Sequence, residues 1–190
     1  MRHSIFVLMV AVLMISSCVG NEKQDKGGVK PLADETPVDT TIYGHSLKSD
    51  EPGVLRLATS GADITVHLGD ADSMQCQVHG GVMLGDHMAV IAHKTSEGKL
   101  TATKVINLTT LLGTWRSLEA TMRIEDGGVL HKFYEAATDS TNNGGVQSEW
   151  NIFNGKLVLG EDTFDVYLLN ADSLLVENTF GIYAFERERK

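Results

Sequence analysis

Five histidines, His67, His79, His87, His93 and His131, are the side chains here best suited to chemistry near neutral pH. Four of them fall between residues 67 and 93, among Asp63, Asp70, Asp72, Asp86 and Cys76. Imidazole, carboxylate and thiolate form the donor set of a transition-metal site when three or four converge on one point. The spacing argues against convergence. Cys76 and His79 are three residues apart, which sends them to opposite faces of a regular strand. His67 sits in the alternating run Ile64–Leu68, on the face that includes Thr65. Solvated, independent histidines are expected, and no metal. Asp70-Ala71-Asp72-Ser73 opens like a calcium loop, but the glycine and the closing glutamate of that loop are missing. Turn chemistry accounts for those aspartates.

Other reaction machinery is absent as a pattern. The chain has no Gly-x-Ser-x-Gly elbow and no glycine-rich phosphate loop. Cys76 reads as a small buried apolar side chain. Asp162 and Asp165 fall near a hairpin end, where solvation is ordinary. A non-enzymatic protein without a cofactor is expected. The formal charge of −9 argues against nucleic acid as a partner.

The elements that would position any site are strands. Val54–Thr59 and Ile64–Leu68 are short runs separated by Ser60-Gly61-Ala62-Asp63. Met74–His79, Val82–Leu84, His87–Ala92 and Lys99–Asn107 follow, each bounded by glycine or a polar turn. Thr114–Ile124 reads as one long run. Val129–Tyr134 alternates, with Val129, His131 and Phe133 on one face. Asn154-Gly155, between Ser148–Phe153 and Lys156–Leu159, is the strongest hairpin signal in the chain. Phe164, Val166 and Leu168 alternate with Asp165, Tyr167 and Leu169, and Gly181–Phe185 is the last run. A short helix is allowed only near Leu108–Leu112. The fold class is therefore all-β: two small antiparallel, barrel-like domains, 41–108 and 109–190, with antiparallel neighbours joined by short turns. Residues 19–40 carry charges, three glycines and two prolines without any period, and read as a flexible tether.

The N-terminus supplies a different kind of signal. Arg2 precedes an apolar run of eleven residues, Ile5–Ile15, and then Ser16-Ser17-Cys18. Such a run suits the core of a signal peptide and is too short to span a bilayer. Ile15-Ser16-Ser17-Cys18 resembles the lipobox of bacterial lipoproteins. The resemblance implies a signal peptide over 1–17, cleavage before Cys18, and acyl chains on Cys18 that hold the protein to the envelope, at the outer membrane. Several chains on one residue give stable anchoring. Cleavage would remove Arg2, the one formally charged residue of the leader, and leave Cys76 as the one unmodified thiol.

A second resemblance rests on Leu112-Gly113-Thr114-Trp115 and on Gly181-Ile182-Tyr183-Ala184-Phe185-Glu186-Arg187. Residues 109–190 resemble the lipocalin-like domains of small lipoproteins from the Bacteroides group. In lipocalins a Gly-x-Trp opens the first strand, and an arginine near the last strand packs across the tryptophan. Trp115 matches the first; Arg187 is the nearest match to the second, with Arg189 as the other candidate. The resemblance implies either a small barrel filled by its own side chains or a joint barrel with residues 41–108. If a cup forms, Phe133, Phe164, Val166, Tyr183 and Phe185 are the candidates to face a small apolar ligand. A ligand or another envelope protein is the expected partner. An assembly component with a filled core is the alternative.

Overall fold

The computed structural model describes residues 37–69, 76–134 and 145–189, without the side chains of Phe133 and Tyr134. Cys18 and the leader lie outside the described residues. Residues 38–190 form one unit, built from two β assemblies that meet at a four-residue helix.

The first assembly contains β1 (Ile42–Leu47), β2 (Val54–Ala58), β3 (Asp63–Leu68), β4 (Gln77–His79), β5 (His87–Lys94) and β6 (Leu100–Asn107). The sheet runs β3-β2-β1-β5-β6, and β3 then pairs with β6 to close a five-stranded Greek-key barrel. This is the arrangement of OB-type barrels, an architecture that by itself carries no function. The closing pair is parallel, as is β4 on β6. Antiparallel neighbours joined by short turns are the sequence expectation. The turns do enforce it between β1 and β2, β2 and β3, and β5 and β6. The β3–β6 pair joins strands distant in the chain, where no short turn dictates direction. Leu55, Leu57, Val66, Met88, Val90 and Val105 fill this barrel, with Cys76 packed against them. Burial raises the Cys76 thiol pKa, which keeps the sulfur protonated and unreactive.

Val82-Met83-Leu84 is not a strand. Apolar composition suggested one, but tertiary hydrogen bonds hold the segment as a turn. Ser46 Oγ donates to Met83 O, and Asp86 accepts from Met83 N–H at 3.0 Å. Met83 and Leu84 are left about three-quarters exposed, at 73% and 74%.

The helix α1 (Leu108–Leu111) starts on Asn107, whose side chain accepts from Thr110 N–H at 2.9 Å. The second assembly follows: β7 (Gly113–Arg116), β8 (Ala120–Ile124), β9 (Val129–Tyr134), β10 (Val146–Phe153), β11 (Lys156–Leu159), β12 (Asp162–Leu169), β13 (Ser173–Asn178) and β14 (Gly181–Arg187). Each pairs antiparallel with the next, and β14 returns to β7, so eight strands close an up-and-down barrel. The run Thr114–Ile124 is thus two strands; Ser117 Oγ accepts from Ala120 N–H at 3.1 Å and turns the chain. Asn154 (φ 49°) and Gly155 (φ 74°) form the hairpin turn that their types demand.

This barrel is filled. Trp115, Leu130, Leu157, Leu174 and Val176 are fully buried inside it. Arg187 lies over the Trp115 ring, 4.1 Å from the centroid, and closes one end. The same apolar cluster takes in Ala89 and Ile106 from the first barrel and Leu108 and Leu111 from α1. Burying one end of the second barrel on the first thus extends the second core through α1 to Ala89 and Ile106, beside the separate cluster that fills the first barrel.

Candidate functional site

Filling decides the fate of the residues nominated for a cup. Phe164 and Val166 are 9% and 3% exposed and belong to the core. Phe185 packs against that core, and Tyr183, 39% exposed, meets Phe164 edge-on with centroids 5.8 Å apart. Phe133 pairs with Thr121 across the β8–β9 ladder, and its side chain lies outside the described residues. Phe164, Val166, Tyr183 and Phe185 do come together, but as packing. Strand number explains this: eight strands enclose an interior just wide enough for side chains to fill.

Open space lies instead between the barrels. A cleft of about 400 Å³ is lined by Tyr43, His45 and His87 from the first barrel, Leu108, Thr109 and Leu112 from the α1 region, and Asp126, Gly127, Gly128, Trp150, Asn151 and Ile152 from the second. Strand geometry positions the ring groups. Tyr43 and His45 are two apart on β1 and share a face, while the intervening Gly44 and the next residue, Ser46, are buried. His87 stands directly opposite His45 across the β1–β5 ladder, and their rings stack with centroids 4.8 Å apart. Tyr43 Oη donates to Ile152 O at 2.5 Å and bridges the two barrels. Trp150 Nε1–H donates to Glu125 O at 2.7 Å, which fixes the indole against the turn that carries Asp126. Gly127 and Gly128 have φ of 76° and 82°, so that turn suits glycine.

The cleft combines an apolar floor with few polar groups, which is the make-up of a small-molecule site. His87 is held below the ordinary imidazole range by burial and by the neighbouring His45, with Asp126 acting in the opposite direction. His87 therefore offers a neutral, hydrogen-bonding imidazole at neutral pH. Neither His45, Tyr43 nor Asp126 was singled out from sequence. Alternation marks Tyr43-x-His45 as one strand face, but only the register with β5 brings His87 to it.

The remaining histidines are dispersed. His131 Nε2 lies 3.4 Å from Glu125 Oε2. His79 is buried, and among the described residues its Nε2 has no hydrogen-bond partner. Among the described residues, no three His, Cys, Asp or Glu side chains are grouped to hold a metal.

Burial, with Lys104 nearby, pulls the His79 pKa below its ordinary 6.5, and His87 moves the same way. An unfolded chain then binds protons that the native state refuses once the pH falls below 6.5. Stability contributed by these groups is present above that value and is lost as the pH falls through it toward the folded values. Denaturant unfolding at about pH 7.5 and about pH 5 should show this loss, and His79→Gln should shrink it. An unchanged difference in that variant would remove His79 from the account.

Comparisons with family models, with curated proteins and with solved structures return no match.

Proposed function

We propose that this is a non-enzymatic, lipid-anchored protein of the bacterial outer membrane that captures a small, largely apolar molecule in the cleft between its barrels. The leader and Cys18 support the anchoring. The closed meander with Arg187 over Trp115 supports kinship with lipocalin-like lipoprotein domains. The observation that carries the binding reading is the cleft itself: about 400 Å³ beside Tyr43, His87 and Trp150, next to a barrel with a packed interior. That volume falls in the range of ligand pockets. The filled interior also favours a second reading, an assembly component that carries no ligand.

Native mass spectrometry of protein taken from its own envelope separates the two. A bound small molecule should appear as a reproducible extra mass. It should persist in Phe164→Leu and weaken by about ten-fold or more in Tyr43→Ala, since truncating a buried aromatic anchor costs at least ~1.4 kcal/mol of binding. Trp150 fluorescence should change with occupancy. Protein that is always clean, with a Trp150 signal indifferent to Tyr43→Ala, would leave the assembly reading in place.

A further inference from the structure

The cleft between the barrels carries charge of one sign. Among the described residues that line it, none is lysine or arginine, and the one carboxylate is Asp126. Asp126 Oδ1 accepts from Gly127 N–H at 2.9 Å, which leaves the carboxylate with open acceptor sites. The basic side chains nearby turn to its neighbour instead. Arg123 Nε lies 2.8 Å and His131 Nε2 3.4 Å from the Glu125 carboxylate. Among the described residues Asp126 forms no ion pair.

The ring donors of the cleft are already committed. Tyr43 Oη donates to Ile152 O, and Trp150 Nε1–H donates to Glu125 O. His45 Nδ1 lies 3.3 Å from Gly85 O. A carbonyl only accepts, so this nitrogen carries the hydrogen, and Nε2 of the neutral ring is left as an acceptor. The donors that remain, on His87, Thr109 and Asn151, carry no charge at neutral pH. The Asp126 charge acts on His87, whose ring centroid is 6.2 Å from that of Tyr43. Carboxylate and aromatic ring therefore belong to one neighbourhood, and Tyr43 is 38% exposed.

We infer that the molecule this cleft takes is an organic cation: a small amine whose ammonium lies by Asp126 and the Tyr43 ring, with its apolar body on Leu108 and Leu112. This rests on the reading of the cleft as a ligand site. An ammonium brings donors and positive charge to a place that offers a carboxylate, an imidazole acceptor and an aromatic ring. A carboxylate or phosphate at the same place would stand against Asp126 with no cation to answer it. The formal charge of −9 on the whole chain draws cations in the same sense.

The test uses the full chain in detergent and three probes with one apolar body: 4-phenylbutylamine, 4-phenylbutan-1-ol and 4-phenylbutanoate. Backbone amide shifts at Tyr43, His87 and Asp126 are followed by NMR. The amine should bind at least about ten-fold more tightly than the carboxylate, with the alcohol between them. Asp126→Asn should remove the amine's lead. It keeps an oxygen for Gly127 N–H, so the turn is retained. If that variant fails to fold, the amine-to-carboxylate ratio on the unaltered chain decides, and it should shrink in about 0.5 M sodium chloride. Equal or tighter binding of the alcohol or the carboxylate at these amides would overturn the cation and keep the cleft as a ligand site. An amine lead that Asp126→Asn leaves unchanged would also overturn the assignment. So would the absence of any shift at about 5 mM of each probe. The ligand-site reading would then be decided by the native mass spectrum, whose extra mass owes nothing to these probes.

Discussion

Trp115→Ala is expected to cost about 3–5 kcal/mol of folding stability, the largest effect of any single truncation in this chain. Trp115 is 0% exposed, and its Nε1–H donates to Leu111 O at 2.8 Å. Removing it opens a cavity where the barrel rests on α1 and strands the Arg187 guanidinium above it. Arg187→Ala should cost about 2–4 kcal/mol by a different route. Its Nε donates to Ala171 O at 2.5 Å and its Nη1 to Leu112 O at 2.7 Å, while Nη2 donates to Thr110 O. One side chain thus satisfies carbonyls at the end of α1 and at the β12–β13 turn while covering the indole face. Burial lowers the Arg187 pKa, but the group stays charged. Arg187→Lys should recover little, because a single ammonium cannot reach carbonyls spread around a planar fork. Gly113 is tied to the same contact: a Cβ there would collide with Arg187 Nη1, and its φ is +143°. Urea unfolding of both single variants and the double variant would measure the coupling. If the double variant costs the full sum of the singles, the two side chains do not act as one closure.

Asn107→Leu is expected to cost about 3 kcal/mol although it replaces a polar residue by an apolar one in a fully buried position. Asn107 is 0% exposed and serves two structures at once. Its Oδ1 caps α1 through Thr110 N–H. Its Nδ2 donates to Asp86 Oδ2 at 2.6 Å, with Gly81 O and Gly80 O at 3.2 and 3.3 Å. Leucine supplies none of these, so the cap is lost, the Gly81 carbonyl and the Asp86 carboxylate lose this donor, and Gly80 O is left to Thr110 Oγ1 at 3.0 Å. Gly80 leaves no room for adjustment, since its virtual Cβ falls 2.8 Å from the Asn107 Cβ. Asn107→Asp should be at least as damaging, because a carboxylate would then face the Asp86 carboxylate. Both variants should speed hydrogen exchange at the Met83 and Gly85 amides, which bond to Asp86 and to Ser46 O. Full protection of those amides in Asn107→Leu would show that the turn holds itself without Asn107.

Several parts of this fold were legible because they are local. Alternation places the inward residues of β3 and those of β12 up to Val166, beyond which a bulge exposes Leu168 and buries Leu169, and Asn154-Gly155 names its own turn type. Leu108–Leu111 is helical where the strand pattern lapses. Trp115 and Arg187 stand 72 positions apart, yet the triplet at the start and the arginine at the end of a meander announced their meeting. Val82-Met83-Leu84 misled for the opposite reason. Its apolar composition suggests a strand, while Ser46, Asp86 and Asn107 hold it as a turn from outside.

What the sequence determined by itself is the all-β character and most strand and turn positions. These follow from side-chain period and from the backbone freedom of glycine and asparagine, while the Trp115–Arg187 pair was indicated only by the family resemblance. Only the tertiary structure decided the parallel closure of β3 on β6, the packed barrel interior and the cleft beside Tyr43 and His87. Each of these is a relation between segments distant in the chain. Register, inter-barrel distance and residual space depend on how whole surfaces fit, and no window of residues encodes that fit on its own.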